Sequence, residues 1–453
     1  MDRILALIVR FCAFLGRFTN RVSYRPLDSH GADDPLKILL VGYNGARNTG
    51  SDVRVASLIT QLNDEFGSDR IRMSLMSLDP SSTEPYLAPN VDAIPFDTMF
   101  FLPLLKACST HEVIILCEGS MLKSKFANGL TLFMCEAAGI AKAQHKPCIA
   151  YGGEAGDMDA FVSNTARKLC TDAKFIARTE GSREAMRQLG FEAELGTDTA
   201  WTFDGAHASE KARDLLVSQG WNGTQPLLGI AVINPFCWPA KPSLGRLAKS
   251  ALTGTWEQHY QKWYFFSWSE ERARAFETYL QKMAQAVEDA CAKYGFFPVI
   301  IGMEKLDLEA CTRLGAMTER PHASILSNNQ DGYVISEVIG MLSRLATSRY
   351  HAAVLAIKQG ICPIGVSMDE RLQNLFEDAG ISKTLLLSVN DPALETSMAK
   401  ALDEVSNLSQ EKHAELSRYV DDRRALCRRM AVDTKRYLAE FSPLAHDLHL
   451  KEA

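Results

Sequence analysis

The sequence predicts an α/β protein made of two doubly wound domains, each a parallel sheet covered by helices on both faces. Three observations carry this. At 453 residues the chain exceeds the size at which a single hydrophobic core keeps growing. Short apolar runs alternate with helix-like stretches, the pattern of repeated strand–helix–strand units. A polar stretch, 206–225, interrupts that alternation, and a second series begins beyond it.

Taken in order, residues 1–34 form an amphipathic N-terminal segment. Between Ile4 and Leu15 almost every residue is apolar, yet Arg3, Arg10 and Arg17 recur every seven residues and would share one stripe of a helix. Arg10 breaks the run well short of the roughly 20 residues a membrane span needs, and no A-x-A-like cleavage site follows clearly. An interfacial helix that rests on an anionic membrane surface through residues 1–21 fits this pattern. So does an amphipathic helix packed on its own protein or on a partner subunit of a homo-oligomer.

The first α/β domain spans 35–205, with strands expected at 37–41, 71–78, 113–117, 147–151 and 174–177 and helices near 53–66, 130–144 and 182–189. After the connection 206–225, the second domain covers 226–391, with strands at 227–232, 297–302, 323–326 and 361–366. It carries an aromatic insertion, 234–268, which holds Trp238, Trp256, Trp263 and Trp268 beside Tyr260, Tyr264, Phe265 and Phe266. Long loops on a sheet scaffold serve as lids or binding segments, and aromatic faces pack on sugar rings or lipid tails. The plainer expectation is a satellite cluster that holds the loop down. The remainder, 392–453, is rich in Ala, Glu, Leu, Lys and Arg and predicts helix.

A net charge of −6 argues against a general nucleic-acid binder, which needs a basic excess to neutralise phosphates. The eleven cysteines are odd in number and never form C-x-x-C, so neither a disulfide framework nor a zinc site is signalled. A reducing cytoplasm fits this usage, with a peripheral position on the inner face of the membrane if the N-terminal helix is interfacial.

The chemistry concentrates where strands give way to helices, since unpaired backbone N–H groups there favour anions. Arg349 and His351 stand between the apolar run 339–345 and the helix-like run 352–358. Arginine offers a fork matched to phosphate or carboxylate, and histidine titrates near neutral pH. Upstream, the glycine-broken turn 42–50 follows the run 38–41.

Five segments in this order, namely 42–52, Glu118-Gly119-Ser120, Arg178 with Ser182, Arg349-Tyr350-His351-Ala352 and Met368-Asp369-Glu370-Arg371, resemble the polysaccharide pyruvyl transferase family. Chains of that family carry G-x-x-G-x-x-N-x-G-D, G-G-G-S, R-D-x-x-S, R-L-H-A and Y-D-x-K. The resemblance runs from about residue 36 to residue 387. It departs from the pattern at Cys117 and Glu118, which replace glycines, at Ser51, inserted before Asp52, and at Arg371, which replaces a lysine. A carboxylate at Glu118 facing the pocket would repel an anionic donor, so it either binds acceptor hydroxyls or marks a divergent substrate.

The resemblance implies two doubly wound, Rossmann-like domains facing a cleft, the GT-B-like arrangement. It also implies a reaction: the enolpyruvyl group of phosphoenolpyruvate moves onto sugar hydroxyls of a cell-envelope polysaccharide or its precursor, which can be lipid-linked, forming a pyruvate ketal. No cofactor and no metal is expected beyond the donor itself. Arg178 and Arg349 would converge from opposite domains on this small anionic donor, and His351 would act as general acid or base. Gly45, Asn48, Gly50, Asp52, Glu118, Ser120, Asp198, Asp369 and Arg371 complete the expected substrate contacts. Read from position alone, Asp52 and Asp369 are equally helix caps and Asp198 a turn residue. Two other classes stay open: a GT-B nucleotide-sugar glycosyltransferase, and a non-catalytic binding or scaffold protein.

Overall fold

A computed structural model describes residues 1–442, and the expected C-terminal helical region therefore extends at 443–453 outside the described residues. The first domain is a seven-stranded parallel sheet of β1 (Leu36–Asn44), β2 (Ile71–Ser77), β3 (Val91–Pro95), β4 (Val113–Leu116), β5 (Cys148–Gly153), β6 (Lys174–Ala177) and β7 (Ala193–Leu195), in the order β3-β2-β1-β4-β5-β6-β7. The second has six parallel strands, β8 (Leu227–Ala231), β12 (Phe297–Gly302), β13 (Ala323–Leu326), β14 (Arg344–Thr347), β15 (Ile364–Ser367) and β16 (Leu386–Ser388), in the order β13-β12-β8-β14-β15-β16. Both are sheets whose central strands are buried on both faces, which is why those strands read as unbroken apolar runs.

Strand order reverses at β1/β4 in one sheet and at β8/β14 in the other. In open α/β sheets the ligand crevice lies outside the carboxyl ends of the strands at such points. The loops that leave these ends are 45–48, 117–120 and 348–349, so three of the five motif segments start at the switch points. The two crevices meet, because Thr49 N–H at the start of α2 (Thr49–Phe66) donates to Met303 O at 2.8 Å across the domain boundary.

Several expectations need adjustment. The apolar run 339–345 is the end of the helix Gly332–Gly340 and the start of β14, and strand β15 begins after Pro363, which has no N–H for the ladder. The stretch 206–225 contains the helix Ser209–Ser218. Three edge strands, β3, β7 and β16, are not among those expected from the sequence. Of the C-terminal pair, the helix Leu394–Ser406 packs on the second domain. The helix Gln410–Glu440 returns to the first, burying Met430 and Leu438 in its core.

The N-terminal segment is the helix α1 (Asp2–Thr19), and it lies on the helix Asn128–Ala143 through Leu5, Ala6, Val9, Cys12, Ala13 and Gly16. The approach is close: a Cβ at Gly139 would come within 2.8 Å of Ala13 Cβ. Arg10 does not join Arg3 and Arg17 in one exposed stripe. It turns inward, and its Nη2 donates to Thr165 Oγ1 at 2.8 Å. Among the described residues no helix is long and apolar enough to cross a membrane.

The aromatic insertion folds into the helix Leu244–Thr253 and a small antiparallel sheet of β9 (Lys241–Pro242), β10 (His259–Gln261) and β11 (Tyr264–Phe265). It reaches across to the first domain. Ala240 N–H donates to Phe126 O at 2.7 Å, and Tyr260 Oη donates to Tyr43 Oη at 2.8 Å. The insertion thus forms one wall of the cleft as well as a cluster of its own around Trp238 and Tyr264.

Candidate functional site

Between the two crevices lies a pocket, open to solvent, whose space including its mouth is about 750 Å3, with Asn48, Gly50, Glu118, Ser120, Arg178, Arg349, His351 and Arg371 among its lining. Eight of the twelve expected site residues therefore meet in one place. The other four stand behind the wall. Gly45 makes a turn at φ 77°, where a Cβ would sit 2.4 Å from Ser77 Oγ, so glycine there serves the backbone. Asp52 is buried in α2, and its carboxyl is pushed well above the ordinary range by that burial. Asp369 caps the helix Glu370–Asp378 and pairs with Arg371, and Asp198 lies beneath the pocket floor.

Asn48 caps α2, its Oδ1 accepting from the N–H groups of Gly50 at 3.0 Å and Ser51 at 3.3 Å. The anion-binding donors of this helix start are thus satisfied from within. Gly50 faces His351 directly, and a Cβ on it would come to 2.2 Å from Nδ1. Only glycine leaves room there for the imidazole ring.

Asp198 is the electrostatic centre. Its Oδ2 lies 3.3 Å from Arg54 Nε, 3.3 Å from Arg178 Nη1 and 3.2 Å from His351 Nε2. Burial would raise this carboxyl, but Arg54, His351 and Arg178 outweigh it and hold it well below the usual carboxylate range. For His351 the balance runs the other way. Burial lowers the imidazole, Asp198 pulls it up, and Arg178 and Arg54 push it down, leaving it below its ordinary value. A neutral ring whose Nε2–H donates to an ionised Asp198 presents Nδ1 as a proton acceptor. His351 comes from the second domain and Asp198 from the first, so the pair forms only across the closed cleft.

The arginines are fixed, but they are not free. Arg178 is paired with Glu154 and Asp198, and its guanidinium lies 4.0 Å over the Tyr350 ring. Arg349 spans Asp307 and Glu304, with Nε 2.9 Å from Asp307 Oδ2 and Nη1 3.1 Å from Glu304 Oε2. Burial raises both of these carboxyls, and Arg349 offsets that only in part. Arg371 chelates Asp369 at 3.0 Å through Nε and lies over the Phe126 ring; burial opposes the Asp369 charge, but Arg371 holds its carboxyl at about 2.

Glu118 explains the altered middle turn. Its Oε2 accepts from Tyr43 N–H and its Oε1 from Ser120 N–H, both at 3.1 Å. The carboxylate occupies a backbone nest of the kind that holds anions. Gly119 beside it has no room for a side chain, since a Cβ would meet Arg54 Nη1 at 2.8 Å and Arg178 Nη1 at 2.9 Å.

Sequence reasoning missed Arg54, Lys123, Glu154, Glu304 and Asp307. Lys123 Nζ sits 2.8 Å from both Glu154 Oε1 of the first domain and Glu370 Oε1 of the second, and clasps the two together. Burial, only partly offset by Glu370, brings its ammonium down to about 8. A signal existed for one of these, because Gly152-Gly153-Glu154 breaks an apolar strand as the other site turns do. Glu304 and Asp307 lie over forty residues from the arginine they hold, and no local pattern announces them. Among the described residues no cluster of His, Cys, Asp and Glu gathers in a way that could hold a metal ion.

No family model matches this chain, and no curated protein matches it. Among solved structures it is similar to the UDP-GlcNAc 2-epimerase of Neisseria meningitidis bound to UDP-GlcNAc, at 9% identity over 88% of this chain and 99% of that one, with a TM-score of 0.51. A putative UDP-N-acetylglucosamine 2-epimerase from Listeria monocytogenes is 11% identical over 90% of this chain and 98% of that one, with a TM-score of 0.52. The Anabaena protein HepE in complex with UDP-glucose is 11% identical over 89% and 98%, with a TM-score of 0.50. Identities this low speak for architecture alone, and the architecture they establish is the GT-B fold.

Proposed function

We propose that this protein is a transferase that joins a small anionic donor to a sugar hydroxyl in the cleft between its domains, and that the donor is phosphoenolpyruvate. The observation that carries the reading is the His351–Asp198 pair, with Nε2 3.2 Å from Oδ2 and Nδ1 set against Gly50 in the pocket wall. A neutral imidazole oriented by a buried carboxylate is suited to take a proton from an attacking hydroxyl. The resemblance supplies the donor. In ketal formation one sugar oxygen bonds to the central enol carbon, the methylene carbon gains a proton, and a second hydroxyl adds to the same carbon as the bond to phosphate breaks, the phosphate leaving with the second hydroxyl's proton. His351 accepts the hydroxyl proton and can return one to the methylene carbon.

The donor's carboxylate and phosphate compete with Glu118 and Glu304, the two carboxylates that line the pocket. This same feature favours a second reading, in which the donor is a nucleotide sugar whose hydroxyls bond those carboxylates. Relatives of this fold that bind UDP-GlcNAc or UDP-glucose make it a reading to test. Purified protein is incubated with phosphoenolpyruvate and with UDP-sugars, each against a panel of nucleotide-linked and lipid-linked sugars, with phosphate and UDP release measured separately. Phosphate release that depends on a sugar acceptor supports pyruvyl transfer. UDP release alone would replace it with the glycosyltransferase reading.

A further inference from the structure

Beside the cleft is a second hollow, open to solvent, whose space including its mouth is about 590 Å3, walled mainly by Leu78, Phe96, Phe100, Phe126, Phe133 and Tyr264. It shares Tyr43, Phe126, Leu130 and Tyr260 with the catalytic pocket, so the two lie side by side. Two of its polar wall groups, Thr98 Oγ1 and Tyr264 Oη, are buried without a partner, and others are engaged. Tyr43 Oη accepts from Tyr260 Oη at 2.8 Å and from Gln261 Nε2 at 3.1 Å, and Asp97 is paired with Lys262. A sugar ring held there would need several free partners, whereas a hydrocarbon chain needs none.

Next to this hollow the surface is apolar. On the outward face of α1, Ile4, Leu7, Phe11 and Phe18 are 63, 62, 59 and 72% exposed, and Met99 and Leu102, flanking the wall residue Phe100, are 55 and 71% exposed. The helix that begins there, Phe101–Thr110, packs against α1, so the two exposed faces adjoin. Cations rim the patch. Arg3, Arg17, Arg21 and Lys106 are exposed, whereas Asp2, the only acid of α1, is turned in and accepts from Asn128 Nδ2 at 2.9 Å. An apolar face rimmed by basic side chains complements an anionic bilayer surface.

We infer that the hollow takes the hydrocarbon chain of a lipid-linked sugar acceptor, drawn from an anionic membrane on which the outer face of α1 rests. The inference rests on the sugar-transferase reading for the identity of the head group, but the chain site is testable without turnover.

The probe is geranylgeranyl phosphate carrying a benzophenone, photolysed on the full-length protein, with the labelled residues mapped by mass spectrometry. Labels are expected on the hollow walls between Phe96 and Phe133. An excess of unlabelled geranylgeraniol, which lacks the phosphate, is expected to suppress them at least tenfold. Thr98→Trp, which fills the hollow from a wall the catalytic pocket does not share, is expected to cut labelling by the same factor. Labelling elsewhere, or labelling indifferent to geranylgeraniol, overturns the inference whether or not the variant folds. In flotation with phosphatidylglycerol-containing vesicles, the wild type is expected to float and the Leu7→Glu, Phe11→Glu double variant to stay behind. If that variant instead turns a dimer into a monomer with vesicle binding unchanged, the face is a subunit contact and entry from the membrane is overturned. Labelling without phosphoenolpyruvate consumption removes the transferase reading and leaves the chain site. Turnover on soluble sugars without labelling does the reverse.

Discussion

Replacing Asp198 by Asn tests the electrostatic logic of the site, because one uncharged oxygen would then stand where a carboxylate serves two arginines and a histidine. At 3.3 Å, with an effective dielectric constant of about 20, each arginine gains about 5 kcal/mol of Coulomb energy from that carboxylate. The gross sum is about 10 kcal/mol, and the desolvation cost of several kcal/mol per ion offsets much of it in the intact cluster. In the variant the cost remains and the compensation is gone. Arg54 and Arg178 are only 3 and 2% exposed at the side chain and cannot turn to water. The expected loss is about 3–5 kcal/mol, the range for breaking one side of a buried pair. Urea unfolding followed by circular dichroism measures it. The Asp198 carboxyl is depressed in the folded state, so its contribution is complete above the ordinary carboxyl pKa and disappears only as pH falls toward the lower folded value. The gap between wild type and variant should therefore be the same at about pH 6 and about pH 8. A loss under about 1 kcal/mol would show that the cluster is not the centre argued here.

Three further outcomes are expected. Gly50→Ala should lower kcat at least a hundredfold and cost about 1–3 kcal/mol of stability, because its Cβ would lie 2.2 Å from His351 Nδ1 and force the ring to move; wild-type kcat in a folded variant would remove His351 Nδ1 from the chemistry. Glu118→Gly restores the glycine of the resembled turn and removes a carboxylate that lines the pocket; between like charges roughly 6 Å apart the repulsion is about 3 kcal/mol at an effective dielectric constant of about 20. Calorimetry should then find phosphoenolpyruvate bound up to about a hundredfold more tightly, whereas unchanged or weaker binding would assign Glu118 to the acceptor. Since burial lowers the His351 imidazole, kcat/KM should rise with pH through a pKa below 6.5 and be level by neutrality. An acid limb above pH 7 would contradict a neutral ring.

What the sequence made legible follows from burial. β1, β4, β8 and β12 lie inside their sheets and read as apolar runs, whereas the edge strands β3 and β7 alternate with polar residues and vanish among loops. α1 was legible as an amphipathic helix, but its inward face was not, since Leu5 and Val9 cover Asn128–Ala143 while Leu7 and Phe11 are apolar and exposed. Both faces are apolar, so hydrophobic pattern alone could not say which one is covered. Deleting residues 1–21 would uncover that core, so single outward substitutions are the better test of membrane contact. At the site, turns and cations were legible as types in order along the chain. Their counter-ions were not, because Glu154, Glu304 and Asp307 become partners only when loops distant in sequence meet.

That neutralisation bears on how the cleft operates. Arg178, Arg349 and Arg371 each hold a carboxylate of the protein, and the nest of Tyr43 and Ser120 N–H groups holds Glu118. The closed cleft is stabilised by polar contacts between the domains, since Lys123 pairs with both Glu154 and Glu370 and the neutral His351 ring bonds Asp198 across the domain boundary. A donor with a carboxylate and a phosphate therefore gains little by adding itself to a finished lattice of pairs; it must take over partners. Glu304 and Asp307, whose carboxyls are raised by burial, are the least costly to discharge, and releasing them would free Arg349. Arg349 is itself stabilised by Asp307 and Glu304 against its burial, whereas Arg178 is lowered by burial and by Arg54 and Arg371 despite Asp198. The two arginines thus have unequal parts: a donor must displace carboxylates to reach Arg349, while at Arg178 it meets a cation whose burial its partners do not fully offset.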